Sequence, residues 1–185
     1  MRKVAYTLVL TVLAAGIVHL AVILLVPSFA SRDAWAQLSS TAGRWSFNTI
    51  AKADRPSEGK ARPDTAMGIA ACLFNLNEAP VRVEAGGDLP FWSVAVFDRL
   101  GQNIYSFNDR TAIENELLML IVDPVQRARL RKSPVEELDQ AIIIESTSPE
   151  GFVLLRALQM DDSWAPKIAE FLANATCERY DIPEE

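Results

Sequence analysis

The sequence predicts one transmembrane helix followed by a single compact, mainly β domain with short helices. Three observations predict it. From Val4 to Val26 the chain is almost wholly apolar, and between Lys3 and Arg32 only His19 can carry a charge. Beyond residue 64, short apolar or alternating runs rich in β-branched and aromatic residues recur, each ended by Gly, Pro, Asn or Asp. The part beyond the span, about 150 residues, is the size of one domain with its own core. The expected organisation is an anchor over residues 1–30, a juxtamembrane segment and linker over 31–64, and a β-rich domain over 65–185.

The apolar run sets the location. About 23 helical residues cover about 34 Å, enough to cross a hydrocarbon core of about 30 Å. A cleaved signal peptide is the alternative, with Ser28-Phe29-Ala30 or Ala34-Trp35-Ala36 as cleavage sites. The apolar region runs on to Pro27, past the roughly 15 residues of a signal core, which favours an uncleaved anchor. Arg2, Lys3 and the free amine precede the span, whereas Arg32 beyond it is offset by Asp33, so the N-terminus is expected in the cytoplasm. Residues from 31 onward then lie outside, which in a bacterium is the periplasm. His19, three residues after Gly16, suits a helix contact or a proton site; a neutral imidazole bonded locally is the simpler reading.

Charge and cysteines narrow the partners. The whole chain carries −6, and the two cations ahead of the span contribute +2, leaving −8 beyond it. Such a field repels nucleic acid and anionic head groups. Cys72 and Cys177 are the two cysteines, and outside the cytosol a disulfide between them is favoured over two buried thiols or linkage to a partner.

Elements follow in order. The stretch 34–50, with Trp35, Leu38, Trp45 and Phe47, reads as a short juxtamembrane helix or extended stalk, Trp35 suiting the membrane interface. Residues 51–64, charged and broken by Pro56, Gly59 and Pro63, read as a linker. Stretches 69–76 and 81–84 flank the turn residues Asn77 to Pro80 and are expected to pair as a hairpin; 91–97 and 102–107 flank Asp98-Arg99-Leu100-Gly101 as a second. A strand over 117–122 precedes a proline-started helix over 124–132, whose Arg127, Arg129, Arg131 and Lys132 read as a solvated end rather than a phosphate site. Strands over 141–146 and 151–158 are joined by a turn at Ser148-Pro149. Ser163 is expected to cap a last helix reaching about Thr176, with Trp164, Ile168, Phe171 and Leu172 on its apolar face.

Chemistry is read mostly by subtraction. The predicted exterior domain contains no histidine and only two distant cysteines, so no zinc cluster and no Ser-His-Asp arrangement can be assembled from it. No phosphate loop or dinucleotide fingerprint appears, and no metal or cofactor is expected. Asn174-Ala175-Thr176 matters as a sequon only in a eukaryotic secretory route. The densest polar group is 103–111, with Trp92 and Ser93 on the preceding strand. Trp92, Ser93, Tyr105, Asn108, Asp109 and Arg110 are therefore the candidate ligand-binding residues, an arginine fork beside an aromatic wall. The plainer reading is that Asp109 holds Arg110 and Asn108 shapes a turn. Glu84, Asp88, Asp98 and Glu145 could supply paired carboxylates, but sequence alone does not bring them together. No catalytic residue is assigned.

The segments Pro90-Phe91-Trp92-Ser93-Val94, Tyr105-Ser106-Phe107-Asn108-Asp109-Arg110, Glu150-Gly151-Phe152-Val153 and Asp162-Ser163-Trp164-Ala165-Pro166 carry a resemblance, together with Asp98 and Gly101. The chain resembles the uncharacterised bacterial envelope families DUF1254 and DUF1214, in the short single-domain form of alpha-proteobacteria. The resemblance implies a jelly-roll-like antiparallel β-sandwich at a bacterial inner membrane and no established reaction. Long members join both domains in one chain, so a short member implies a companion anchored protein. The expected function is an anchored periplasmic binding or interaction domain. A cofactor-free enzyme or a lipid- or sugar-handling accessory near Arg110 is one alternative, and a structural subunit of a membrane complex is another.

Overall fold

The computed structural model describes residues 2–50, 67–112, 115–133 and 135–183. The linker expected over 51–64 and the expected domain start at Thr65 lie outside the described residues. The first element, α1 (Arg2–Thr41), is a single helix of 40 residues. Its stretch Arg2–Val26 is long and apolar enough to cross a membrane, and none of it is buried within the protein. The helix does not stop at Pro27. It continues some 15 residues, about 22 Å, to Thr41.

Those last turns pack on the fold instead of forming a loose stalk. Trp35, Leu38 and Ala42 meet Ala71, Leu73 and Phe152. Trp35 lies 6.3 Å from the Phe152 ring, with the Arg99 guanidinium 5.7 Å from its ring centre, so it packs on the domain. Arg99 is fixed in turn by Glu150 at 2.6 Å. Gly43 and Trp45, the latter at φ 61, then turn the chain onto the sheet. The Leu73 amide donates to the Gly43 carbonyl and the Trp45 amide donates to the Leu73 carbonyl, each at 3.1 Å.

Nine strands follow among the described residues: β1 (Asn48–Thr49), β2 (Met67–Asn75), β3 (Val81–Gly86), β4 (Trp92–Asp98), β5 (Asn103–Asn108), β6 (Glu116–Val122), β7 (Ile142–Glu145), β8 (Glu150–Leu158) and β9 (Thr176–Arg179). They form two sheets, ordered β1-β2-β8-β4-β5 and β7-β6-β3-β9. The first is antiparallel throughout, whereas β6 and β7 pair parallel, with α2 (Pro124–Lys132) between them. The second sheet is therefore mixed, not wholly antiparallel. Strand β1 also brings residues 48–49 into the first sheet, ahead of the expected domain start.

The β4–β5 hairpin forms as expected, with a register shift at Val96/Phe97. The other expected hairpin does not. Strand β2 pairs with β1 and β8, while β3 pairs with β6 and β9, so Asn77 to Pro80 carries the chain from one sheet to the other. Burial explains the separation. On β2 both faces are covered, Ala70, Cys72 and Phe74 by the core and Ala71 and Leu73 by α1, as suits an inner strand. On β3 only Val81, Val83 and Ala85 are buried, and Arg82 and Glu84 face outward. The turn near Ser148 likewise joins strands of different sheets.

The core lies between the sheets. Val81, Val83, Leu117, Met119 and Ile121 meet Trp92, Val94, Val96, Val153 and Leu155, and α3 (Ala165–Asn174) closes one end with Ile168, Phe171 and Leu172. Gly151 is required by close approach, because a Cβ there would run into the Phe97 carbonyl and the Phe74 ring. Asp161, not Ser163, begins the last helical segment. Its carboxylate accepts the Ser163 hydroxyl at 2.5 Å and the Ser163 amide at 2.8 Å, which holds its carboxyl below the usual range.

Cys72 on β2 and Cys177 on β9 stand at disulfide distance, Cα–Cα 6.5 Å, and join the two sheets. Their separation of 105 residues makes the constraint on the unfolded chain large. In the chain-entropy treatment, Cys177→Ala should cost about 4–5 kcal/mol. Urea unfolding of the oxidised protein and the variant checks this, and reduced wild-type protein should match the variant.

Candidate functional site

The residues singled out in the sequence do not share one site. Trp92 is wholly buried, with Phe171 at 5.8 Å and Phe107 at 6.2 Å, so it packs the core and walls no cleft. Tyr105 is half-buried, pairs with Val96 and packs against the same core. Arg110 is exposed outside the sandwich and cannot face Trp92. The turn reading of Asn108 is what the structure contains: its Oδ1 accepts the Arg110 amide at 3.1 Å and caps the short helical turn Asp109–Thr111. Asp109 makes no ion pair with Arg110, and its Oδ1 is buried without a partner.

Ser93 and Asn108 do come together. They face each other across β4 and β5, and Ser93 also faces Arg156 on β8, which faces Ile69 on β2. Directly opposed residues share a face, so Ile69, Arg156, Ser93 and Asn108 form one row on the outside of the first sheet. Arg156 was missed because a lone arginine within an apolar strand carries no motif.

Of the four carboxylates considered for pairing, Asp88 is exposed and the other three are engaged elsewhere. Glu84 receives Arg82 Nε at 2.6 Å, Glu145 lies 3.8 Å from Arg127, and Asp98 accepts the Gln102 amide at 2.8 Å. Arg127 is thereby tied inward, while Arg129, Arg131 and Lys132 are exposed and make no common site. Among the described residues no group of three or more His, Cys, Asp or Glu is gathered as for a metal ion.

A cleft of about 500 Å³ lies elsewhere, along the rim of the second sheet. Glu84, Glu116 and Leu118 line it from β3 and β6, Ile142 from β7, and Phe107 and Thr111 from the edge of the first sheet. The Cys72–Cys177 link aligns β2 with β9, which leaves the edge strands β5 and β7 together on the opposite side. The cleft reaches that side. It also lies at the strand ends remote from Leu73, where α1 docks. Glu116 carries no signal in the sequence, because its neighbours in the cleft come from three other strands, β3, β5 and β7.

A mainly β domain of two facing sheets, carried by an apolar helix, is the class these features define. The sequence matches the family described as "Protein of unknown function (DUF1254)" over residues 45–179, and the chain belongs to that family. No curated protein matches it. A protein of Vibrio parahaemolyticus has the same fold, with TM-score 0.57 at 10% identity over 85% of this chain and 38% of its own. An uncharacterised protein from Burkholderia cenocepacia aligns over 62% of this chain and 31% of its own, at 11% identity and TM-score 0.43. This chain thus spans well under half the length of either.

Trp92 and Arg110 should separate cleanly on substitution. Trp92→Ala is expected to cost about 3–5 kcal/mol by loss of core packing, and Arg110→Ala to stay within about 0.5 kcal/mol. Urea unfolding in detergent measures both.

Proposed function

We propose that this chain is a bacterial inner-membrane protein whose residues 4–26 span the bilayer, with the N-terminus in the cytoplasm and the domain in the periplasm. There it serves as a binding and interaction domain that assembles with a companion domain protein. The observation carrying this reading is the continuity of α1, whose apolar turns pass without a break into turns packed on the first sheet. A domain joined in this way is held at a set height and orientation above the bilayer, which suits presenting a surface to a neighbour.

Other features support it. The Cys72–Cys177 pair suits an oxidising compartment. The Vibrio relative is more than twice as long, consistent with a second domain that this chain would meet as a separate protein. Five connections cross between the sheets, from β2, β3, β5, β7 and β8 to the strand that follows each, and such a path is jelly-roll-like. Binding of a small ligand is a second reading, favoured by the volume of the cleft. An enzymatic use of Arg110 has no such support, because that residue lies outside the cleft.

Protein extracted from bacterial membranes in mild detergent tests the assembly. Mass measurement should find the anchored chain, beginning at or next to Met1, in a complex with a second polypeptide. A monomer, or a mature chain starting beyond Ala30, would contradict the reading.

A further inference from the structure

The course of α1 decides which side of the domain faces a bilayer that Arg2–Val26 spans. Gly43 and Trp45 hydrogen-bond Leu73 on the β1 side of β2, where Arg44 also bridges to Leu73. Going back along the helix, Ala42 meets Ala71 and Leu73 on β2, and Trp35 meets Phe152 on β8 and Arg99 just past β4. Leu73, Phe152 and Phe97 form one cross-strand row, so the docked turns run across the strands, from β2 over β8 towards β4. Prolonged towards Val26, the helix passes the β5 edge of the first sheet.

The lengths agree with this course. From Trp35 back to Val26 the helix rises about 14 Å. Strand β5 lies one place beyond β4 and two beyond β8, about 5–10 Å at the usual strand spacing. The β5 edge therefore stands within about 10 Å of the end of the apolar stretch, where a headgroup layer of about 5–7 Å would begin. Strand β7 is the edge of the second sheet on the same side.

Charge is arranged along the same direction. Helix α2 packs outside β6 and β7 through Leu130, and Arg127 reaches the Ile143 carbonyl on β7 at 3.3 Å. The opposite face of α2 carries Val125, Ala128, Arg129 and Lys132 at helical spacing, all exposed, with Arg131 beside them. Among the described residues Arg129, Arg131 and Lys132 have no carboxylate partner. The acidic turn after α2 leans the other way, Glu137 lying 3.9 Å from Arg82 on β3. These cations converge on no single point, as a discrete phosphate would require, whereas a bilayer surface asks only that they face one plane. An exposed valine among cations on one helical face suits a lipid interface. The net charge of −8 beyond the span opposes anionic lipid, but physiological salt screens charges further than about 8 Å, so the near side decides.

We propose that the β5 and β7 side of the domain rests on the membrane that α1 spans, the exposed face of α2 docking on anionic phospholipid through Arg129, Arg131 and Lys132. This rests on the membrane-spanning part of the reading above and is independent of the companion protein.

The test uses the full chain in lipid nanodiscs with one added cysteine carrying a fluorophore, the native cysteines being bonded to each other. Ala128→Cys reports on α2 and Glu178→Cys on β9 at the far side, and the quencher is a nitroxide on a lipid headgroup. With phosphatidylglycerol present, position 128 should be quenched and position 178 should not. Phosphatidylcholine alone should leave position 128 bright. Arg129→Glu, Arg131→Glu and Lys132→Glu together should lower the ratio of docked to free domain on the order of 100-fold. If thermal unfolding shows that this triple variant does not fold, Arg129→Gln with Lys132→Gln carries the comparison. Equal quenching at 128 and 178, or quenching at 128 indifferent to these charges and to phosphatidylglycerol, would overturn this surface alone. A fluorophore at Ala15→Cys left unquenched by brominated acyl chains would overturn the span as well.

Discussion

The structure depends on one joint: the last turns of α1 seated against β2, β8 and the Asp98–Gly101 turn. Two features meet in a single helix, an apolar stretch over Arg2–Val26 long enough to cross a membrane and protein packing around Trp35, Leu38 and Ala42. Burying these three apolar side chains contributes on the order of a few kcal/mol, at about 25 cal/mol per Å². The paired backbone bonds between Leu73 and Gly43–Trp45 add direction to that packing. Arg99, held by Glu150 and resting over Trp35, closes the joint from the side. Arg44 and Arg179 converge on Glu78, tying the segment after the helix to β9 as well.

From this joint the rest acquires orientation. The Cys72–Cys177 link holds the sandwich together along β2 and β9, and α3 closes the end around Trp92 and Phe171. What lies away from that joint is the side bearing β5 and β7, with the rim cleft. The docked helix can therefore position the cleft without covering it.

Much of this was legible in the sequence. The long apolar N-terminal helix, the β4–β5 hairpin, the proline-started α2 and the Cys72–Cys177 pairing each follow from local pattern or from small numbers of possibilities. The buried face of α3 was legible through Ile168, Phe171 and Leu172. Sheet membership was not, because a turn such as Asn77 to Pro80 serves equally to reverse a strand within a sheet or to cross between two. Trp92 illustrates the limit at the site: its neighbours on β4 are polar and apolar by turns, and only the register shows that it points inward while Ser93 points out. Arg156 was not legible either: among the described residues Arg82 and Arg127 have carboxylate partners and Arg156 has none, a difference that no local motif carries.

The joint can be measured directly. Spin labels at positions 24 and 103, in the span and on β5, report the distance between helix and domain in lipid nanodiscs by pulsed electron resonance. A helix that passes unbroken from bilayer to sheet predicts one narrow distance distribution, broadened when Trp35→Ala and Leu38→Ala loosen the docked turns. A broad distribution in the wild-type chain would show a domain swinging on a tether, and would contradict the account.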